Sequence, residues 1–261
     1  MKFENTHVYN MENAIRGMRF PMQSEERSDT KWYDDTHLNE RYCHYQFIDY
    51  DHESLRFLGI GEKDLELAQK LIKAGSVHRK FLRQILVSVD ITAPLYWWKE
   101  FDTYKVGTVA NSESTMHRLA STPITLDCFE TDDYEPILSF ESGIDDDGDT
   151  PYTYDVRISD VIGTHETEYY YGETYIGFLE SLRQKYLETK DKRYWKELIR
   201  WLPSSWLQKR AVTMNYETLF AICSKDQRRN HKLTEWSESF IKWAKSLPYA
   251  REFLFIDEVE K

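Results

Sequence analysis

The sequence predicts an α+β fold, and three observations carry that expectation. Ile85, Val87, Val89 and Ile91 alternate with Gln84, Leu86, Ser88 and Asp90, the period-two pattern of a strand rich in β-branched residues. Leu65, Ala68, Leu71 and Ile72 fall on one face at helical spacing, and further groups of this kind fill the last third of the chain. Strand and helix signals do not alternate regularly, which ranks α+β above a doubly wound parallel sheet. A length of 261 residues supplies ample core for a single domain, 1–261.

The first thirty residues contain Arg16 and Arg19 around Gly17. Guanidinium groups beside a small residue can hold an anion, although two arginines near a terminus also serve as plain surface charge. Residues 31–60 are aromatic and irregular. His37, His44 and His52 lie too far apart for one helical metal face, so no metal site is expected there. Glu62 to Ala74 reads as a helix, with acids at its start, Lys70 and Lys73 near its end and Gly75 as a stop. The alternating stretch follows, with a helix over 77–86 as the competing reading. Pro94 suits the first turn of a helix carrying Leu95 to Phe101.

The segment around 121–165 is acidic, holds Pro123, Pro136 and Pro151 and lacks helical period, as a loop-rich insertion or small hairpin would. Its DDDGD run, Asp145 to Asp149, lacks the spacing and distal glutamate of a calcium loop and reads as a solvated turn. From Thr174 onward the chain reads as helical. Tyr175, Phe178, Leu179, Leu182 and Tyr186 mark one helix; Tyr194, Leu198, Ile199 and Leu202 mark another, stopped by Pro203. A third spans about Tyr216 to Ser224. The fourth, capped by Asn230, buries Leu233, Trp236, Phe240, Trp243, Ala244 and Leu247 before Pro248.

Composition narrows the function classes. Lys and Arg number 34 against 45 Asp and Glu, a net charge of −11, which argues against duplex nucleic acid as a partner. Cys43, Cys128 and Cys223 are odd in number and form no CxxC pair, the pattern of reduced thiols in a cytoplasmic protein. No window has the length of a membrane span and the N-terminus lacks a signal peptide's apolar stretch, so neither membrane association nor secretion is expected.

The run from Tyr96 to Leu119 holds the densest chemistry. It places Trp97, Trp98, Phe101 and Tyr104 among Lys99, Glu100, Lys105, Asn111, Ser112, Ser114 and His117. Aromatic faces beside ammonium, amide and hydroxyl donors suit a nucleotide or another planar, charged ligand. The plainer reading is an amphipathic helix running into a surface loop. Glu130, Asp132 and Asp133 admit a third class, a metal-dependent hydrolase, but loop acids of this kind are usually solvated.

ILVSVDITAPLYWW, VANSESTMH, Leu202-Pro203, Thr213-Met214-Asn215 and RRNHKLTEW follow one another in an order that resembles the flavin-dependent thymidylate synthases. The resemblance covers roughly residues 62–120 and 200–247 and lies in order and spacing. Asn111 and Ser114 match the Asn and second Ser of the family's Ser-x-Asn-Glu-x-Ser signature, with Ser112 where the family has Glu. Asn215 matches the Asn of a strand-to-helix turn, Arg228 or Arg229 an arginine directed at the nucleotide, and His231 and Glu235 the helix that follows. The family's Arg-His-Arg triplet is missing; Glu100, Phe101 and Asp102 occupy its neighbourhood, and Met116-His117 replaces an Arg-Tyr pair.

That resemblance implies a mixed or antiparallel sheet flanked by helices, a homotetramer and a uridylate-type pyrimidine nucleotide as ligand. It also implies FAD, with methylene-tetrahydrofolate and NADPH if the methyl-transfer chemistry is kept. Arg16, Arg19, Lys105, Arg228 and Arg229 would then bind phosphate. Asn111, Ser112, Ser114 and Asn215 would orient base or ribose. Trp97, Trp98 and Tyr104, with His117 and His231, would line the cofactor. A catalytically inactive nucleotide-binding or interaction protein on the same scaffold is the alternative that the missing arginines favour.

Overall fold

A computed structural model describes residues 1–34, 56–131, 139–144, 151–156 and 171–258. Strand β1 (Lys2–Tyr9) and helix α1 (Met11–Gly17) come first, then an antiparallel pair, β2 (Lys31–Asp34) and β3 (Arg56–Gly59). Helix α2 (Glu62–Lys73) precedes β4 (Leu86–Pro94), α3 (Leu95–Phe101), β5 (Thr108–Ser112) and α4 (Thr115–Ser121). A second antiparallel pair, β6 (Ser139–Ile144) and β7 (Pro151–Val156), is followed by α5 (Tyr171–Thr189) and α6 (Lys192–Trp201). Strand β8 (Leu207–Asn215) leads into α7 (Tyr216–Ile222) and α8 (Lys225–Asn230). A π-helical segment (Glu235–Phe240), α9 (Ile241–Lys245) and α10 (Ala250–Phe253) complete the order.

The chain divides into two compact units, Met1–Ser112 with Lys209–Lys261, and Glu113–Gln208. The first contains a sheet of order β1-β4-β8-β5, in which β1 runs antiparallel to β4 and β5 antiparallel to β8. This is the α+β class that the sequence predicts. Val87, Val89, Ile91 and Ala93 are buried along β4, as the alternation requires of an interior strand. Pro94 ends β4 with extended backbone and stands one position before α3, so it caps the helix instead of entering its first turn.

Three sequence expectations need correction. The stretch after Pro203 is not wholly helical, because β8 lies within it. Buried Gln208, Val212 and Met214 share one face at even spacing, but Lys209 and Arg210 interrupt the apolar pattern that would reveal it. The family resemblance, in contrast, places a strand-to-helix turn at Asn215, where β8 meets α7. The long helix expected from an Asn230 cap is broken: Asn230 closes α8, and a π segment precedes α9. The alternative helix over 77–86 is a 3-10 turn, Lys80–Gln84, that buries Phe81 and Leu82. Within the acidic middle, β6 and β7 match the hairpin reading, while His37, His44, His52, Cys43, Asp132, Asp133 and the DDDGD run fall outside the described residues.

A polar lock fixes the N-terminal loops to α2. Asp29 accepts from the first-turn amides of Lys63 (3.0 Å) and Asp64 (3.1 Å), capping the helix from outside its own segment. Asp64, fully buried, accepts in return from Arg19 Nε (2.5 Å), the hydroxyls of Ser28 and Thr30 (2.7 and 2.6 Å) and the Asp29 and Thr30 amides. Burial works to raise the carboxyl pKa. Hydrogen bonds from Thr30, Ser28 and Arg19, with the Arg19 charge, outweigh it and hold the group below the ordinary carboxylate range.

The second unit has a smaller core of Leu119, Ile124, Cys128, Phe129, Leu179, Leu198 and Trp206. Glu180 on α5 accepts from Arg183 (2.7 Å), from the Ile124 amide (2.8 Å) and from Gln184 (2.7 Å). The Arg183 hydrogen bond is the largest of the effects that bring its pKa down to about 2.

Candidate functional site

Helix α3 has too many large apolar groups for one face, and the excess becomes an aromatic column in the first unit. Trp97 stacks on Phe101 (centroids 5.0 Å apart, 16° between planes) and meets Trp236 at 5.5 Å. Trp236 stacks on Phe240 in turn and carries the His231 ring, 4.6 Å away and within 5° of parallel. Tyr104 adds a second ring beside Trp236, at 5.5 Å. The π-helical widening over Glu235–Phe240 accompanies this placement of Trp236 and Phe240; such segments recur at functional sites.

Polar groups converge on the outer end of the column. The Leu233 amide donates to His231 Nδ1 at 3.2 Å, which puts the proton of the neutral ring on Nε2. That nitrogen lies 3.8 Å from Glu100 Oε1. The Tyr96 hydroxyl donates to the carboxylate of Glu235, which is buried. Burial raises the Tyr104 phenol, and Glu100 and Cys223 add to the effect. Burial likewise pushes the Cys223 thiol far up, which disqualifies it as a nucleophile.

The turn after Tyr104 is held against α7. Asn215 Oδ1 accepts from the Thr218 amide at 2.9 Å, an N-cap, and the Thr218 hydroxyl donates to the Val106 carbonyl at 2.7 Å. Gly107 has φ +75°, and a Cβ there would lie 2.3 Å from Asn215 Nδ2. Only glycine fits this approach. Lys105, in the same turn, is exposed and has no ion-pair partner among the described residues.

The residues expected from sequence therefore separate. Tyr104 and His231 meet on Trp236, with Lys105 next in the chain and Asn215 packed against Gly107. Asn111 and Ser112 are exposed on the edge strand β5, opposite Ala211 and Arg210. Arg16 is exposed, bonded to Asn13 and near Glu25. Arg229 is exposed as well. Ser114 and His117 lie in the second unit, where Ser114 Oγ accepts the His117 amide at 3.3 Å and caps α4.

Four expectations are corrected by burial and pairing. Arg19 is enclosed with Asp64 and has no open face for phosphate. Arg228 donates to the Cys223 carbonyl and to Asp257, both at 2.5 Å, and lies near Glu258. Trp97 and Trp98 are buried in the core, so neither presents a wall to a ligand. Trp98 instead underlies Arg210, whose guanidinium sits 4.2 Å from the ring centroid and donates to Asp102 at 2.7 Å. The sequence places Trp236 in the core, where it lies, but marks neither it nor Tyr96 nor Arg210 as part of the site. The His231-to-Trp236 spacing was the available signal for the first, but His231 stands in extended backbone ahead of the π segment and meets Trp236 in a way that helical spacing does not predict.

No protein-family model matches the sequence, and no curated protein does. Solved structures do match. Thymidylate synthase X of Helicobacter pylori, with FAD and dUMP, aligns over 100% of both chains at 17% identity with a TM-score of 0.56. A second structure of that enzyme with the same ligands covers 98% of this chain and 99% of its own, at 18% identity and TM-score 0.56. The chain has the fold of the flavin-dependent thymidylate synthases. The UMP/dUMP methylase PolB of Streptomyces cacaoi, bound with 5-Br dUMP, aligns over 98% of this chain and 95% of its own, at 11% identity and TM-score 0.52. At these identities the likeness concerns architecture alone. Among the described residues, no group of three or more His, Cys, Asp or Glu could hold a metal ion, and no helix is long and apolar enough to cross a membrane.

Proposed function

We propose that this chain binds a pyrimidine nucleoside monophosphate of the dUMP type on a flavin-dependent thymidylate synthase scaffold. The full-length correspondence with two structures holding FAD and dUMP and with one holding 5-Br dUMP supports this reading. Lys105 and Arg229, with Arg16 beside Glu25, are exposed cations that would meet phosphate in this reading. Asn111, Ser112 and Asn215 supply amide and hydroxyl groups for base or ribose, and Tyr104 with His231 supplies aromatic surface. In the catalytic form of this reading the protein makes thymidylate or a modified pyrimidine, and FAD, methylene-tetrahydrofolate and NADPH are its co-reactants. A bound flavin would supply hydride chemistry; the chain's own part would be to orient the nucleotide and exclude water.

The residues present do not fit a flavin dinucleotide at the place the family resemblance indicates. Glu100 and Asp102 are carboxylates, and Phe101 between them is buried in the core. The Glu100 carboxylate opposes a diphosphate, while that of Asp102 is already paired with Arg210. No step is therefore derived through flavin, and this observation favours the second reading, a nucleotide-binding protein without turnover. The absorption spectrum of the purified chain with excess FAD, together with calorimetric titration by dUMP, tests both. Saturable binding of dUMP supports the nucleotide site, and failure of both dUMP and dCMP to bind refutes it. Flavin bands retained through gel filtration would restore the synthase reading. The homotetramer that the family resemblance implies is the assembly we propose, and sedimentation velocity tests it.

A further inference from the structure

We propose that Glu100, beside His231, reads the hydrogen-bond-donating edge of the nucleotide base and makes this chain prefer cytosine to uracil. The proposal rests on the pyrimidine-nucleotide reading above and names the base within it.

The Glu100 side chain is 43% exposed, and His231 Nε2 lies 3.8 Å away, beyond hydrogen-bond length. Its lone pairs are thus open to a ligand, while the imidazole biases where the carboxylate points. That imidazole is itself fixed. Trp236 holds its plane, and the Leu233 amide occupies Nδ1 and leaves Nε2–H, 3.8 Å from Glu100, as the donor of the neutral ring. His231 is only 11% exposed, with Nδ1 occupied and Nε2–H on the side of Glu100, so its polar edge acts on the carboxylate and not on the ligand. Glu100 is the contact group; His231 is a positioning residue. Tyr104 stands on the same aromatic column, and Lys105 beside it carries an exposed positive charge that a 5′-phosphate could use.

The chemistry of the two bases then decides. An ionised carboxylate only accepts hydrogen bonds. Cytosine presents an exocyclic amino group, the donor that Glu and Asp recognise. Uracil presents a carbonyl oxygen in its place, and its one ring N–H is flanked by two carbonyls. A carboxylate directed at that edge meets at least one of those oxygens as well as the N–H, and the repulsion offsets the bond. A carboxylate at this position therefore favours the base that offers a donor.

Calorimetric titration of the full-length chain with dCMP and with dUMP tests the proposal, on the wild type and on Glu100→Gln and His231→Phe. The wild type is expected to bind dCMP at least about tenfold more tightly, the scale of one good base contact. Glu100→Gln is isosteric at a half-exposed position. Its amide can donate or accept, so the preference should disappear while thermal unfolding stays unchanged. His231→Phe keeps a ring on Trp236 but removes Nε2–H, and the dCMP/dUMP ratio should narrow. Wild-type affinity for dUMP equal to or above that for dCMP overturns the proposal and leaves the nucleotide reading intact. A ratio unchanged by Glu100→Gln also overturns it. Failure of both nucleotides to bind removes the proposal and the nucleotide reading together.

Discussion

Two polar clusters in the same unit have opposite characters. The lock of Arg19 and Asp64 is buried, and Asp64 has five donors around it. The cluster of Glu100, His231 and Tyr104 is built on equally well-packed rings, yet its carboxylate stays half-exposed and short of a hydrogen bond from its neighbour. The first satisfies itself and leaves nothing to offer; the second keeps acceptor capacity for something outside the chain. The cations repeat the lesson. Arg19 and Arg228 are enclosed by carboxylates, while Lys105 and Arg229 are exposed. Formal charge is the same in all four, and surroundings decide which can meet a ligand.

Breaking the locked cluster should have the largest effect. Asp64→Ala strands a buried guanidinium and should lower stability by about 3–5 kcal/mol in a urea titration. Loss below about 1 kcal/mol would mean that the lock is not structural. Its pH behaviour follows from its lowered pKa. The folded group titrates below the unfolded one, so its contribution is complete above the unfolded value of about 3.9 and is lost as pH falls through the folded value. Glu180, brought down to about 2, gives the second unit a similar acid limb. Its stabilisation should fade as pH drops from about 4.3 toward the folded value, and Glu180→Gln should flatten that limb in pH-dependent melts.

Smaller changes probe the open cluster. Gly107→Ala meets both a left-handed φ and the Asn215 amide, so a loss of about 1–3 kcal/mol is expected. A neutral result would show that the turn carrying Lys105 yields easily. Ser114→Ala removes an N-cap and should cost about 0.5–1 kcal/mol in thermal melts. Asn111→Ala and Lys105→Ala touch exposed groups and should stay within about 0.5 kcal/mol of wild type. They should nonetheless weaken dUMP or dCMP binding by calorimetry. Unchanged affinity in both would count against the site.

Much of the fold is legible in the chain. The alternation from Ile85 to Ile91 is strand β4, the Leu65–Ile72 stripe is α2, and α3 follows Pro94. What is not legible has physical reasons. Strand β8 carries Lys209 and Arg210 between its buried positions, and Arg210 is reconciled with burial only by the Trp98 face and Asp102. Strand β5 is an exposed edge, so no apolar period marks it. Of the candidate site, Tyr104, Lys105 and His231 are visible as residue types, but Glu100 reads as the place where a family arginine is missing and not as an acceptor in its own right.

The sequence by itself determined the α+β class, the helices with a clear apolar stripe and the order of segments that resembles the flavin-dependent thymidylate synthases. These depend on local periodicity and on spacing along one chain. Tertiary structure alone decided that Arg19 and Arg228 are enclosed, that Trp97 and Trp98 are core, and that Glu100 faces His231. Each of those outcomes depends on a partner far away in the chain, Asp64 for Arg19 and Trp236 for Trp97, and one-dimensional spacing holds no record of which distant groups share a desolvated space.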